Sequence, residues 1–209
     1  MAGLRSVERH VPALCLGTFL GIWALLALAP RHRADWLLEN LPTFVAVPAA
    51  IAAYRVRPLS DRAYVQATIF LVLHTIGSHY TYSEVPLGDW LREMASLSRN
   101  HYDRIVHLAF GLLLLRPMRD LGFPDPTVPG RIAVLYFSVT AIACWSAIYE
   151  VTEWLIASLA DPAAGIAYLG TQGDVWDAQK DMALALLGAS LAAIIEWRLD
   201  APAGMAHAA

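Results

Sequence analysis

Apolar residues gather into six runs along the chain, at 11–29, 41–54, 63–82, 105–115, 132–159 and 182–195, with short polar connections between them. A helix needs about 20 predominantly apolar residues to cross a bilayer. The first, third and fifth runs reach that length unaided. The other three are too short, so each must draw its polar flanks into the membrane thickness to cross. The pattern predicts an all-α polytopic transmembrane helix bundle. It is a single membrane domain over 1–209 with about six spans, near 11–29, 41–55, 63–82, 98–117, 131–158 and 177–197. No internal repeat or low-complexity segment interrupts it.

Composition agrees with that pattern. The chain is 57% hydrophobic and 16% charged, with a mean hydropathy of +0.48. Soluble domains carry about 25% charged residues. The net charge of −3 is small and argues against a nucleic-acid partner. Cys15 and Cys144 both sit within apolar runs and read as small packing residues rather than a disulfide or a metal site. Arg5 and Arg9 before the first run imitate a signal peptide. That run is longer than the usual ~7–15-residue core of a cleaved signal, and Pro30 directly follows Ala29. A retained first span is expected.

Charge sets the expected orientation. With six spans both ends lie on one side of the membrane. That side carries Arg5, Arg9, Arg55, Arg57, Arg62, Arg116, Arg119, Arg131 and Arg198. The opposite side carries Arg31, Arg33, Arg92, Arg99, Arg104 and Lys180. The positive-inside rule then puts both termini in the cytoplasm. The basic connections, such as Gly122-Phe123-Pro124-Asp125-Pro126, read as plain connectors, and the inner half of the bundle offers few polar groups.

Acids and histidines crowd the outer side: Asp35, Glu39, Glu84, Asp89, Glu93, Asp103, Glu150, Glu153, Asp161, Asp174, Asp177 and Asp181, with His32, His74, His79, His101 and His107. At about 1.5 Å of rise per residue, His107 lies roughly 14 Å above Arg116, Asp103 roughly 20 Å above it, and His74 roughly 18 Å above Arg62. Asp181 lies roughly 26 Å above Arg198, and Glu150 roughly 29 Å above Arg131. Four helices thus carry ionisable groups into the outer half of the bilayer. Such groups are costly unless they face the bundle interior, and they mark a functional site by default.

The spacings suit convergence. Asp103 and His107 share a helical face, as do Glu150 and Glu153. Asp174, Asp177 and Asp181 form one stripe. His74 and His79 diverge on a continuous helix unless Gly77 and the tyrosine-rich segment after it break the helix. Carboxylates and imidazoles pointing inward from several helices are how bundles bind metal. An oxygen and nitrogen ligand set without sulfur suits a divalent metal such as Zn, Mn or Fe, and Mg or Ca where carboxylates act alone. The expected metal ligands are His74, His79, Asp103, His107, Glu150, Asp177 and Asp181, with Glu153 or Glu84 as general base. The competing possibility is structural: these acids could pair with Arg92, Arg99, Arg104 and Lys180 and lock the bundle. Gly170-Thr171-Gln172-Gly173-Asp174 is expected to cap the last helix through Asp174, or to cradle an anion. Trp36, Trp90 and Trp176 read as interfacial anchors.

At these same residues the chain resembles the YjdF-like family of bacterial inner-membrane proteins. The segments that carry the likeness are Asp35-Trp36-Leu37-Leu38-Glu39-Asn40, Gly77-Ser78-His79-Tyr80-Thr81-Tyr82-Ser83-Glu84-Val85-Pro86, and Ser98-Arg99-Asn100-His101-Tyr102-Asp103-Arg104. Tyr149-Glu150 with Glu153-Trp154, and Leu169-Gly170-Thr171-Gln172-Gly173-Asp174-Val175-Trp176-Asp177, complete it. The resemblance implies a multi-pass protein of the bacterial inner (cytoplasmic) membrane. It implies no activity, because the family is one of unknown function. A weaker likeness to VanZ-like proteins, linked to glycopeptide tolerance, rests on Asp103 with His107, Glu150, and Asp177 or Asp181. It favours a role in the cell envelope.

The expected function is therefore a membrane-embedded, metal-dependent enzyme acting on a lipid or envelope precursor. The alternatives are a proton- or ion-coupled transporter, and a non-catalytic envelope or lipid-binding factor. Membrane lipid is the expected partner, and the chain could assemble as a homo-oligomer.

Overall fold

The computed structural model describes residues 10–123, 130–159, 165 and 168–199. Arg5, Arg9, Asp161 and Pro124-Asp125-Pro126 lie outside them. Among the described residues the chain forms eight helices and no strand: α1 (His10–Ala27), α2 (Arg33–Glu39), α3 (Leu41–Val56), α4 (Asp61–Tyr80), α5 (Pro86–Met94), α6 (Tyr102–Gly122), α7 (Arg131–Leu159) and α8 (Asp177–Leu199). The fold is all-helical, as the apolar periodicity requires.

Three helices, α1, α7 and α8, are long and apolar enough to cross a membrane. The pair α2–α3 passes the same test together but bends by 41° at its break, giving a fourth span if counted as one. The bend falls at Asn40, whose side chain donates to the Trp36 carbonyl and accepts from the Trp23 indole. Helices α4 and α6 have 20 and 21 residues, roughly 30 Å at about 1.5 Å each. Their buried polar residues, which include His74, Thr75 and Ser78 in α4 and His107 and Arg119 in α6, dilute the apolar signal. Large apolar side chains such as Leu14, Val45, Trp145, Trp154 and Ile194 are exposed on the helix surfaces, as a lipid-facing exterior demands.

Helix α6 is the central element. It packs against α4, α7 and, most extensively, α8. The α6–α8 contact is close because it uses small residues. A Cβ on Gly111 would lie 1.9 Å from the Ala185 carbonyl oxygen, and one on Gly188 would lie 2.2 Å from that of Leu108. Ala185 and Ala189 are fully buried in the same seam, with Leu115 and Ile142 beside them. In lipid, where apolar surface has no water to escape, such backbone-to-backbone packing is a principal attraction between helices.

One segment folds as the pattern did not foresee, and one local expectation is corrected. The fourth span was expected near 98–117; helix α6 starts at Tyr102. Residues 98–101 instead fold as a clamp. Asn100, fully buried, accepts from the Tyr102 N–H and donates to the Val85 carbonyl and to Asp89. Its backbone exchanges two hydrogen bonds with the Gln172 side chain. Gly77 does not break α4, which continues to Tyr80. The break comes at Thr81 and Tyr82, both left-handed at φ 59° and 43°. Gly77 instead makes room for the Tyr82 ring, which would lie 2.6 Å from any Cβ there.

The arginine-rich end holds a polar knot that corrects the expectation of an inner half poor in such groups. Glu196 of α8 is buried and accepts from Arg116 and from Arg119 at 2.7 Å, with Arg62 at 3.9 Å. Asp120 accepts from the backbone N–H and hydroxyl of Ser60, the N-cap of α4. Arg131 stacks over Trp197 with its guanidinium carbon 4.0 Å from the ring centroid. The connections at this end are therefore tied together rather than plain.

Candidate metal centre

The opposite end of the bundle gathers the acids and imidazoles. Asp103 and His107 lie one turn apart on α6, so both face α7 and α8. Across from them α8 presents Asp181, and α7 presents Glu150. Asp103, His107 and Asp181 each offer a ligand atom, and these atoms all lie within 4.8 Å of one another. His107 Nε2 is 3.4 Å from Asp103 Oδ1 and 3.5 Å from Glu150 Oε1. Asp181 is 2% exposed, and Glu150 and His107 are each 9% exposed. Asp181 Oδ1 and Glu150 Oε1 are buried with no hydrogen-bond donor among the described residues.

A buried carboxylate oxygen without a donor is costly. The arrangement of one imidazole nitrogen and carboxylate oxygens from three helices fits a divalent metal of the Zn, Mn or Fe kind. These are the groups that could hold one.

The remaining expected residues are placed differently. Asp177, although on the same stripe as Asp181, is drawn to Arg99 and to Arg104, the latter at 2.7 Å. Asp174 precedes α8 by three residues rather than capping it directly. Its carboxylate accepts from the Trp176 N–H, from Lys180 and from Arg104. Hydrogen bonding by the Lys180 ammonium, then by the Trp176 backbone, holds its pKa down to about 2. The Gly170-Thr171 carbonyls face Arg99. This segment is a cation-rich brace, the structural alternative weighed for the acids, and it adjoins the cluster without joining it.

His79 donates from Nδ1 to the Leu26 carbonyl, 2.8 Å away, and links α4 to α1. Glu84 pairs with Arg31 at 2.5 Å and approaches His32 at 3.8 Å on a partly exposed rim. His74 is buried, its Nδ1 shared with the Tyr82 hydroxyl. The strained Thr81–Tyr82 turn is what delivers that hydroxyl. Glu153 lies one turn beyond Tyr149 and Glu150 on α7, within electrostatic reach of Glu39, Glu150 and Asp103.

Two residues of the site escaped the sequence-based list of candidates. Glu39, at the end of α2, is 3% exposed and lies 3.4 Å from the Tyr149 hydroxyl, which donates to it. The Tyr149 ring in turn packs edge-on against His107, 6.0 Å between centroids. Both belong to the unusual strings around Asp35–Asn40 and Tyr149-Glu150, and Glu39 also stands among the acids expected on the outer side.

The comparisons with known proteins agree with a membrane protein and name no chemistry. Residues 11–201 match a family described as predicted membrane protein (DUF2238). The chain is 35% identical over 162 residues to the inner membrane protein YjdF of Escherichia coli (strain K12), covering 78% of this chain and 77% of that protein. No solved structure matches. The matched range takes in every helix described above except the first residue of α1, and with it Asp103, His107, Glu150 and Asp181. The chain is thus an integral membrane protein of the inner membrane and belongs to the DUF2238 family, of which the YjdF-like proteins are part.

Proposed function

We propose that this protein is a membrane-embedded, metal-dependent enzyme with six crossings, both ends on the arginine-rich cytoplasmic side and the site in the outer half of the bilayer. One observation carries the proposal. Asp103, His107 and Asp181 converge from two helices with Glu150 from a third, while Asp181 Oδ1 and Glu150 Oε1 have no hydrogen-bond donor among the described residues. A divalent metal bound there would polarise a phosphoryl or carbonyl oxygen and activate water. The charged neighbours on the brace, Arg99 and Arg104, direct their hydrogen bonds to Asp177, Asp174 and loop carbonyls rather than to the cluster.

The substrate class that follows is a phosphorylated lipid or envelope precursor, reached laterally from the membrane. Glu153 is the better-placed general base, since Glu84 is committed to Arg31. Its carboxylate takes the proton of the attacking water and returns it to the departing oxygen. The transporter alternative is weaker, because Glu196 and its arginines fill the other end of the bundle.

The test is metal analysis of the purified full chain, followed by phosphate release from phosphatidic acid and a polyprenyl phosphate in mixed micelles. Bound Zn, Mn or Fe that is lost in Asp103→Asn and Asp181→Asn, together with metal-dependent phosphate release, is the expected outcome. Fully stable protein that takes up none of these metals would overturn it.

A further inference from the structure

Helix α5 takes no part in the cluster. Pro86 opens it and Asp89 lies in its first turn, both favourable at a helix start. Its 9 residues are too few to cross a bilayer. It stands between α4 and α6, at the acid-rich end of the bundle. The chain fastens it near its start. Val85, just before it, is 2% exposed and packs with Tyr82, Tyr102 and Val106. The buried Asn100 side chain donates to the Val85 carbonyl and to Asp89, and a Cβ on Gly88 would lie 1.7 Å from its amide oxygen. Among the described helices none packs broadly on α5.

The free edge of α5 is apolar. Leu87, Trp90 and Met94 recur at helical spacing on one face and are 50%, 54% and 68% exposed. Asp89 and Glu93 lie one turn apart on another face, with Asp89 paired to Arg92 at 3.2 Å. Val175 and Trp176 add exposed apolar surface on the loop that Gln172 ties to Asn100. A helix divided in this way lies in the plane of a membrane interface, its apolar face sunk about 5–10 Å. Tryptophan is enriched at that depth. The lipid-facing exterior is continuous with this edge through α4, which exposes Val65 and Ile69 and leads into α5 by a short turn. With two acids and one arginine, α5 has no positive excess to draw it to anionic headgroups. Apolar burial has to hold it.

We infer that α5 is a lipid-docking helix. It lies along the leaflet at the acid-rich end, with Leu87, Trp90 and Met94 between phospholipid headgroups and Asp89 and Glu93 toward water. Asn100 joins its start to the Tyr102 N–H, so lipid held on this edge is held next to the turn of α6 that carries Asp103. The inference rests on the crossings of α4 and α6 proposed above and on no metal.

The experiment uses full-length protein with Cys15→Ser and Cys144→Ser. One new cysteine is added at a time, by Leu87→Cys, Met94→Cys, Glu93→Cys or Ile69→Cys, and labelled with the environment-sensitive dye NBD. The protein is reconstituted into phosphatidylcholine vesicles, with iodide on both sides or with phosphatidylcholine carrying a nitroxide. Labels replacing Leu87 and Met94 should emit to the blue of the label replacing Glu93. They should lose intensity to a nitroxide near the headgroup and resist iodide, whereas the label replacing Glu93 should lose intensity to iodide. The label replacing Ile69 should be quenched by a nitroxide deep in the acyl chains, as a crossing requires. Equal iodide quenching at all three α5 positions, with Ile69 still quenched by lipid, would overturn the docking helix and leave the crossing standing. Protection of the Leu87 and Met94 labels from both quenchers would put another copy of the chain on that edge, and would also overturn it. An Ile69 label out of reach of every lipid nitroxide would remove the crossing and the docking helix together.

Discussion

Single residues here act chiefly through what they leave unsatisfied. Asn100 is the clearest case, because its side chain and backbone together serve Tyr102, Val85, Asp89 and Gln172. Replacing it with alanine strands buried backbone groups at the mouth of the site. Asn100→Ala should cost about 1–3 kcal/mol per group left unpaired, read as a fall in the thermal midpoint in detergent. Asp174 makes a second prediction, in pH. Its pKa is held at about 2, below the ordinary 3.8, so its contribution to stability is fully present above 3.8 and is lost as pH falls through about 2. The native protein should therefore lose thermal stability more steeply between about pH 4 and pH 2 than Asp174→Asn does. Parallel pH profiles for the two would show that the Lys180 and Arg104 contacts contribute nothing. At this scale the sequence was partly legible. Depth and helical spacing singled out Asp103, His107, Glu150 and Asp181, which the fold brings together. The same spacing treated Asp177 as their equal, because periodicity shows a shared face but not that Arg99, from the loop before α6, and Arg104, from the first turn of α6, occupy it.

At the scale of elements the decisive contact is α6 against α8. It exists because Gly111 and Gly188 let two backbones meet. Gly188→Ala places a methyl 2.2 Å from a carbonyl oxygen that cannot rotate away, so the helices must separate. A loss of about 1–3 kcal/mol is expected from such overpacking. Gly17→Ala on α1 is the control, since nothing lies within 4 Å of a Cβ there and alanine favours helix by up to about 1 kcal/mol. Thermal melts of the two variants should move in opposite directions. Separation of α6 and α8 would also part Asp103 and His107 from Asp181, so Gly188→Ala should weaken the proposed metal binding without touching a proposed ligand. The apolar runs located these helices well. They did not locate α5, a short amphipathic helix between longer ones, nor the start of α6. Hydropathy registers length and apolarity, whereas those boundaries are set by Asn100 and by the left-handed pair Thr81–Tyr82.

Across the whole molecule, the two ends are built on opposite principles. One end closes arginines around the buried carboxylate of Glu196; the other sets carboxylates around the imidazole of His107. The sequence displayed the second as an excess of acids on one side, but concealed the first. Glu196 stands in an apolar helix near its end and looks like an ordinary interfacial charge until Arg116 and Arg119 are seen to close on it. The knot also has a consequence in time. Glu196 follows Arg116 by 80 residues along the chain. At synthesis rates of about 5–20 residues per second, α6 leaves the ribosome roughly 4–16 s before its counter-ion exists. During that interval its arginines lack Glu196, and Asp103 and His107 on the same helix lack Asp181. Completion of the last helix is thus the event that both neutralises one end of the molecule and assembles the other.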